Sequence, residues 1–131
     1  MKLLLDTHIA LWAVTTPELL DEKVQGWISN PDNDVAVSII SLWEIAIKRS
    51  VRRDRANIPQ LSPGAARIAF ANADFDLLAI AIGHIETVEK LPFHHRDPFD
   101  RMLVATAVAD GCSLLTHDKA LAVYGNFVMV V

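Results

Sequence analysis

Five short apolar segments constrain the fold of this chain more than any other feature of its sequence. Each has the length of a strand, and most are apolar throughout instead of alternating between apolar and polar residues. Such runs are typical of strands buried on both faces, as in a parallel sheet. They comprise residues 2–5, 35–40, 75–80, 112–116 and 127–131.

Helix signals occupy the segments between these runs. Residues 15–18 (Thr-Thr-Pro-Glu) and 41–44 (Ser-Leu-Trp-Glu) have the spacing of capping boxes. Ser62 and Asp97 each precede a proline, as N-caps do, and Gly111 stands where a helix over residues 98–110 would end. The order β-α-α-β-α-α-β-α-α-β-α-β predicts an α/β fold with right-handed crossovers. Within residues 62–80, a single helix through both 68–73 and 75–80 is the alternative.

Length and composition fit one such unit. The chain has 131 residues, 52% of them hydrophobic, which predicts one domain spanning residues 1–131 with a core of its own. The single cysteine, Cys112, excludes an internal disulfide and a cysteine-based metal site. No apolar run is long enough to span a membrane, and Asp6 interrupts the apolar start before a signal-peptide pattern is complete. We therefore expect a soluble cytoplasmic protein.

Four carboxylates lie at positions that a parallel sheet would bring together. Asp6 ends the first strand, Asp118 follows the fourth, and Glu44 and Asp100 fall in the predicted first turns of two helices. Each alone has a structural explanation as a helix cap or as a favourable charge near the start of a helix. In a parallel α/β sheet, however, strand carboxyl ends and the following helix N-termini share one edge, where ligands bind.

Converging carboxylates repel one another, and a hard divalent cation removes that repulsion. Magnesium or manganese (Mg²⁺ or Mn²⁺) prefers such oxygen ligands. The sequence thus suggests an acidic metal site acting on a phosphodiester. A formal net charge of −4 argues against a nucleic-acid partner at first, but two such ions would bring it to zero.

Four stretches containing these acids resemble the successive motifs of PIN-domain proteins, and most closely the VapC toxins of bacterial type II toxin–antitoxin pairs. The resemblance covers nearly the whole chain. The stretches are Leu-Leu-Leu-Asp-Thr-His (3–8), Val-Ser (37–38) with Ser-Leu-Trp-Glu-Ile-Ala-Ile-Lys (41–48), His-Arg-Asp-Pro-Phe-Asp-Arg-Met-Leu (95–103) and Leu-Thr-His-Asp (115–118).

The resemblance implies a PIN-like three-layer sandwich, with a five-stranded parallel sheet flanked by helices and the first strand central. It implies an Mg²⁺- or Mn²⁺-dependent endoribonuclease that cleaves RNA and is inhibited by a cognate antitoxin protein, in a homodimer or a toxin–antitoxin hetero-oligomer. The residues that match the family's catalytic and metal-binding acids are Asp6, Glu44, Asp100 and Asp118, with Asp6 and Asp100 the expected direct ligands. Thr7 and Thr116 match hydroxyl positions beside them.

A run of basic residues follows Glu44 and could bind RNA phosphates. It comprises Lys48, Arg49, Arg52, Arg53 and Arg55. The alternative is a solvated helix face in which Lys48 pairs with Glu44 at i, i+4.

Neighbouring residues receive structural interpretations. We expect Asp97 to be a helix cap, Arg101 to pair with Asp100, and residues 94–96 (His-His-Arg) to form loop surface. The three tryptophans (Trp12, Trp27 and Trp43) are expected in the core or an interface.

Two other classes of function stay open from the sequence. A PIN-like binding or assembly domain would keep the fold and the partner surface without catalysis. A structure-specific DNA nuclease could use the same four acids.

Overall fold

The five predicted strands all form and pair in parallel in one sheet. The computed structural model describes residues 1–51 and 59–131. Within them the strands are β1 (Lys2–Leu5), β2 (Asp34–Ser38), β3 (Asp76–Leu78), β4 (Ser113–Thr116) and β5 (Val128–Val130). Their order across the sheet is β3-β2-β1-β4-β5, so the first strand is central, as expected. In register, Leu4 of β1 lies opposite Ala36 on one side and Leu114 on the other.

Six α-helices connect these strands in the described part of the chain. They are α1 (Thr7–Thr15), α2 (Glu22–Ser29), α3 (Ile39–Val51), α4 (Pro63–Asn72), α5 (Ile82–Lys90) and α6 (Pro98–Asp110). Among the described residues there are also two 3₁₀ helices, Pro17–Leu19 and Lys119–Tyr124. No helix among the described residues is long and apolar enough to cross a membrane.

The central strand is buried on both faces, which makes the architecture three-layered. Leu3 and Leu5 pack with Phe70 of α4 in one apolar cluster, whereas Leu4 packs with Leu103 of α6 in the other. All three leucines of β1 are fully buried. Continuous apolar strands therefore predicted the parallel sheet correctly, and the α/β fold class is confirmed.

Three of the five helix-boundary signals work as expected. The Ser62 hydroxyl accepts a hydrogen bond from the backbone N–H of Ala65, and Asp97 caps α6. Gly111 ends α6 with a left-handed φ of 68°, which glycine adopts without strain.

The two predicted capping boxes are wrong. Helix α3 follows β2 without a loop and begins at Ile39, so Ser41 is inside the helix and Glu44 lies in its second turn. The hydroxyl of Ser38 accepts the N–H of Ile40 at this abrupt start. Thr16 makes no side-chain capping bond and precedes only the 3₁₀ helix Pro17–Leu19, because the chain becomes extended again at Leu20.

Residues 62–80 divide into a helix and an edge strand, so the single-helix alternative is wrong. Asp74 has a φ of 60°, which breaks the helical path after α4. Phe75 then packs on Phe70, and β3 begins at Asp76.

Candidate active site

One open cleft of about 470 Å³ lies at the carboxyl edge of the sheet. The four predicted acids all line it: Asp6, Glu44, Asp100 and Asp118. They reach it from the end of β1, from α3, from the first turn of α6 and from the residue pair after β4. The topology therefore brings together residues that are up to 112 positions apart in the sequence.

Asp6 is a buried carboxylate fixed from two directions. Its Oδ1 accepts the N–H of Ile9 (2.8 Å), which makes it the N-cap of α1. Its Oδ2 accepts the hydroxyl of Thr116 (2.5 Å) and the N–H of His117 (3.2 Å). Burial raises the pKa of Asp6 above its ordinary value, although these hydrogen bonds act in the opposite direction. The capping explanation is thus correct, and it leaves the carboxylate on the cleft.

Glu44 is also buried, with its two oxygens held by different partners. The Thr7 hydroxyl donates to Oε1 (2.7 Å) and lies 2.9 Å from the hydroxyl of Ser41. Lys48 contacts Oε2 at 2.6 Å, one turn further along α3. The i, i+4 pairing that the sequence offered as an alternative to phosphate binding is therefore present.

Asp100, in the first turn of α6, is a partly buried carboxylate with a strongly raised pKa. Its pKa is raised to about 6, first by burial and then by the negative charge of Asp97, with a smaller contribution from Glu44. The hydrogen bond from His95 acts against this rise. Asp97 is the N-cap of α6 through the N–H groups of Phe99 and Asp100, as expected, and it also lines the cleft.

Asp118 is the most exposed of the four acids, with 42% of its side chain accessible. Its Oδ1 accepts the N–H of Ala120 and caps the 3₁₀ helix Lys119–Tyr124. Its backbone N–H donates to the hydroxyl of Thr116 (3.0 Å), the same hydroxyl that donates to Asp6. Thr116 is completely buried. This threonine therefore fixes the relation between two of the acids.

His95 lies in the loop before α6, as expected, but it is only partly exposed and contacts two acids of the cleft. Its Nε2 lies 2.9 Å from Oδ2 of Asp100 and 3.6 Å from Oδ2 of Asp118. Within the described residues, these three form the only group of three or more metal-ligating side chains with donor atoms within 4.8 Å of one another.

Of the basic run, Lys48 lines the cleft and Arg49 does not, within the part of the chain that the structure describes. Arg49 points away from the acids and donates to the carbonyl of Pro59 (2.6 Å). Arg52, Arg53 and Arg55 lie outside the described residues.

Arg101 does not form the expected ion pair with Asp100. It is buried and donates to the carbonyls of Val88 and Pro92 and to the Tyr124 hydroxyl. Its guanidinium also lies over the ring of Phe93.

The tryptophans divide between core and surface. Trp12 and Trp27 pack against the main apolar cluster, as expected, and Trp12 also lines the cleft. Trp43 is 57% exposed and stands edge-on to Phe99.

The donor set fits a hard divalent cation. Carboxylate oxygens dominate the cleft, and oxygen is the preferred ligand of Mg²⁺ and Mn²⁺. Burial raises the pKa of both Asp6 and Asp100, and at Asp100 the negative charges of Asp97 and Glu44 raise it further.

Fold and cleft together define an α/β domain with a carboxylate-rich site at the edge where parallel sheets bind ligands. The PIN domain family matches residues 3–126 of this chain. Ribonuclease VapC22 of Mycobacterium tuberculosis is 30% identical over 118 residues, covering 90% of this chain and 88% of that protein. The chain belongs to the PIN domain family.

Solved structures share the fold over the same length. The VapBC2 structure from Rickettsia felis, bound to a promoter DNA fragment, has a TM-score of 0.69 at 15% identity and covers 100% of this chain and 98% of that chain. A toxin–antitoxin complex from Klebsiella pneumoniae has a TM-score of 0.64 at 20% identity, covering 97% and 95%. Their identities are low, so they support the fold.

Proposed function

We propose that this PIN-domain protein is the endoribonuclease toxin of a type II toxin–antitoxin pair. It hydrolyses RNA phosphodiesters with Mg²⁺ or Mn²⁺ and is inhibited by a cognate antitoxin. The observation that carries the proposal is the convergence of Asp6, Glu44, Asp100 and Asp118 on one cleft of a family member related to a ribonuclease.

The four acids would hold the cation. A divalent ion supplies Lewis acidity toward the phosphate oxygens and lowers the pKa of water. Asp100 and Asp118 stand on the open side of the cleft, whereas Asp6 and Glu44 are deeply buried. A cation would thus meet two more exposed carboxylates and two buried ones that hydrogen bonds hold in place.

The hydroxyls beside the acids have a positioning role. Thr116 holds Oδ2 of Asp6, and Thr7 holds Oε1 of Glu44. Each bond fixes the plane of its carboxylate, whose other oxygen is held by the N–H of Ile9 in Asp6 and by Lys48 in Glu44. A carboxylate oxygen that is not occupied by the ion accepts the proton of the attacking water.

Lys48 is the basic residue placed to meet an RNA phosphate, because it lines the cleft while pairing with Glu44. When a cation occupies the acids, the Lys48 ammonium becomes available to the substrate. We include Arg49, Arg52 and Arg53 in the same proposed RNA-binding segment, since they continue the basic run. A chain with a net charge of −4 should bind RNA weakly and in a salt-sensitive way without metal.

The partner proposal follows from the solved relatives, which are toxin–antitoxin complexes. A cleft lined by four carboxylates would attract a cationic side chain, and an arginine can bind a carboxylate through two parallel hydrogen bonds. We therefore expect the antitoxin to insert a basic residue among these acids, in a hetero-oligomer built on a toxin dimer.

Metal-dependent RNA cleavage tests the proposed activity. The purified chain, without its antitoxin, is incubated with defined RNAs and DNAs in Mg²⁺, in Mn²⁺ and in EDTA. We expect internal cleavage of RNA with either metal, none in EDTA, and a loss of at least about 100-fold in Asp6→Asn and Asp100→Asn.

Asp34→Asn is the matched control. Asp34 is an exposed acid at the amino end of β2, on the opposite edge of the sheet, so its replacement should leave cleavage unchanged. Equal activity in all variants would identify a contaminating nuclease. Cleavage of DNA alone would replace the proposed substrate, and metal binding without cleavage of either would indicate a binding domain.

A further inference from the structure

The loop before α6 brings one of two adjacent histidines to the acids. His95 faces Asp100 and Asp118, while the ring of His94 packs edge-on against Tyr124 at 5.2 Å between ring centroids. Both residues have the same side chain and lie in the same loop. The two side chains therefore point to different neighbours, and that of His95 is the one that contacts the acids.

Side-chain hydrogen bonds hold this loop near both of its ends. Arg101 donates to the carbonyls of Val88 and Pro92, at the end of α5 and the start of the loop, and it is buried. Asp97 caps α6 at the other end of the loop. His95 is thus presented on an anchored segment of a few residues, and its imidazole does not need to be ordered when a ligand binds.

The distances suit adjacent ligands of one ion. Two neighbouring ligands of an octahedral cation, each about 2.1 Å from it, lie about 3 Å apart. The Nε2 of His95 is 2.9 Å from Asp100 Oδ2 and 3.6 Å from Asp118 Oδ2. Before a cation enters, this nitrogen carries a proton, because both neighbours are acceptors. A cation bound at Nε2 would take the place of that proton, and the neutral imidazole would then carry its one proton on Nδ1.

We propose that His95 is a nitrogen ligand of the divalent cation, beside Asp100 and Asp118, and that it makes the site prefer Mn²⁺ to Mg²⁺. The inference rests on the proposed function, since it concerns the ion of the same cleft. Mg²⁺ demands oxygen ligands and retains its waters, whereas an imidazole nitrogen binds transition metals better.

Electron spin-echo spectroscopy of bound Mn²⁺ tests this ligand directly, independently of activity. We expect a ¹⁴N modulation in the wild-type protein and in His94→Ala, and its loss in His95→Ala. By calorimetry, His95→Ala should weaken Mn²⁺ binding about tenfold and Mg²⁺ binding less than about threefold.

His95→Gln separates coordination by nitrogen from hydrogen bonding to Asp100. The glutamine amide keeps a donor near the acids but removes the imidazole, so this variant should lose the modulation and the preference for Mn²⁺. Bound Mn²⁺ without ¹⁴N modulation in the wild type, or modulation that survives both His95 substitutions, overturns the inference and leaves the proposed ribonuclease intact. Absence of any Mn²⁺ or Mg²⁺ binding would overturn the metal site as a whole.

Discussion

The hydroxyl of Thr116 donates a 2.5 Å hydrogen bond to Oδ2 of Asp6 and so ties together the ends of the neighbouring strands β1 and β4. The hydroxyl oxygen of Thr116 also accepts the backbone N–H of Asp118. One buried hydroxyl therefore bonds a buried acid of the cleft and orders the segment that carries the most exposed one.

Replacing Thr116 by valine should weaken the site more than the fold. Valine has nearly the same shape but no hydroxyl, so Asp6 loses a charge-assisted bond and its pKa rises further above the ordinary value. We expect a loss of about 1–3 kcal/mol in the free energy of unfolding, measured with urea. Cleavage at fixed Mg²⁺ should fall about 10- to 100-fold.

Thr116→Ser is the matched control, because serine keeps the hydroxyl. It should retain most of the cleavage rate. In a profile of cleavage rate against pH, the acidic limb of Thr116→Ser should lie closer to that of the wild type than the acidic limb of Thr116→Val does. A serine variant as inactive as the valine variant would mean that the methyl group, and not the bond to Asp6, maintains the site.

Asp100→Asn should make the metal-free protein more stable at neutral pH. The pKa of Asp100 is raised from 3.8 to about 6 on folding, so the folded protein binds protons more tightly than the unfolded chain. The stability that this group contributes is fully present below its pKa in the unfolded chain. It is lost as the pH rises through its pKa in the folded protein. In EDTA at pH 7.5, we expect the variant to exceed the wild type by about 1–3 kcal/mol.

With Mg²⁺ present, the wild type should instead be more stable than Asp100→Asn. Cation binding stabilises the folded wild type and needs the ionised carboxylate, so its affinity should fall as the pH is lowered through about 6. Urea unfolding at pH 4.5, 6 and 7.5, with EDTA or with Mg²⁺, measures both effects. An unchanged difference between wild type and variant across this pH range would refute the assigned role of Asp100.

Strand positions and the acids that follow strands could be predicted from the sequence because the signals are local. A continuous apolar run specifies a two-sided buried strand, and Asp6 is the first polar residue after the run that became β1. The parallel order then places Asp118 at the same edge. The Glu44–Lys48 pair also follows a local rule, since residues four apart on a helix face the same side.

The errors at Ser41 and Arg101 have non-local causes, and so do the contacts of His95 with the acids, which the sequence did not indicate. Ser41 resembles a cap, but the direct junction of β2 with α3 starts the helix two residues earlier. Arg101 and Asp100 are consecutive on α6, and consecutive helical side chains point in different directions. His95 lies beside the acids on a loop that Arg101 joins to α5 through the carbonyls of Pro92 and Val88, contacts that no sequence spacing reveals.

Lys48→Gln should tighten metal binding while it destabilises the metal-free protein. The Lys48 ammonium neutralises Glu44 at 2.6 Å and competes with a cation for that carboxylate. Without it, we expect the Mg²⁺ dissociation constant to fall about threefold and the free energy of unfolding in EDTA to drop by about 1 kcal/mol. Calorimetry without RNA separates this effect from substrate binding.

Arg49→Gln is the control for Lys48, because Arg49 is exposed and bonds the Pro59 carbonyl instead of an acid. It should leave the Mg²⁺ dissociation constant unchanged. Weaker Mg²⁺ binding in Lys48→Gln would show that Lys48 organises Glu44 for the cation and does not compete with it.

Arg101→Lys should destabilise the fold and displace His95 despite keeping the charge. The planar guanidinium reaches two carbonyls and the Tyr124 hydroxyl and lies 4.7 Å from the ring centre of Phe93, which one ammonium cannot reproduce. We expect a loss of about 2–4 kcal/mol in urea unfolding, since buried partners remain unsatisfied. Arg67→Lys, at an exposed position of α4, should change stability by less than about 0.5 kcal/mol. A small loss in Arg101→Lys together with an unchanged ¹⁴N signal from bound Mn²⁺ would show that the loop holds His95 in place without Arg101.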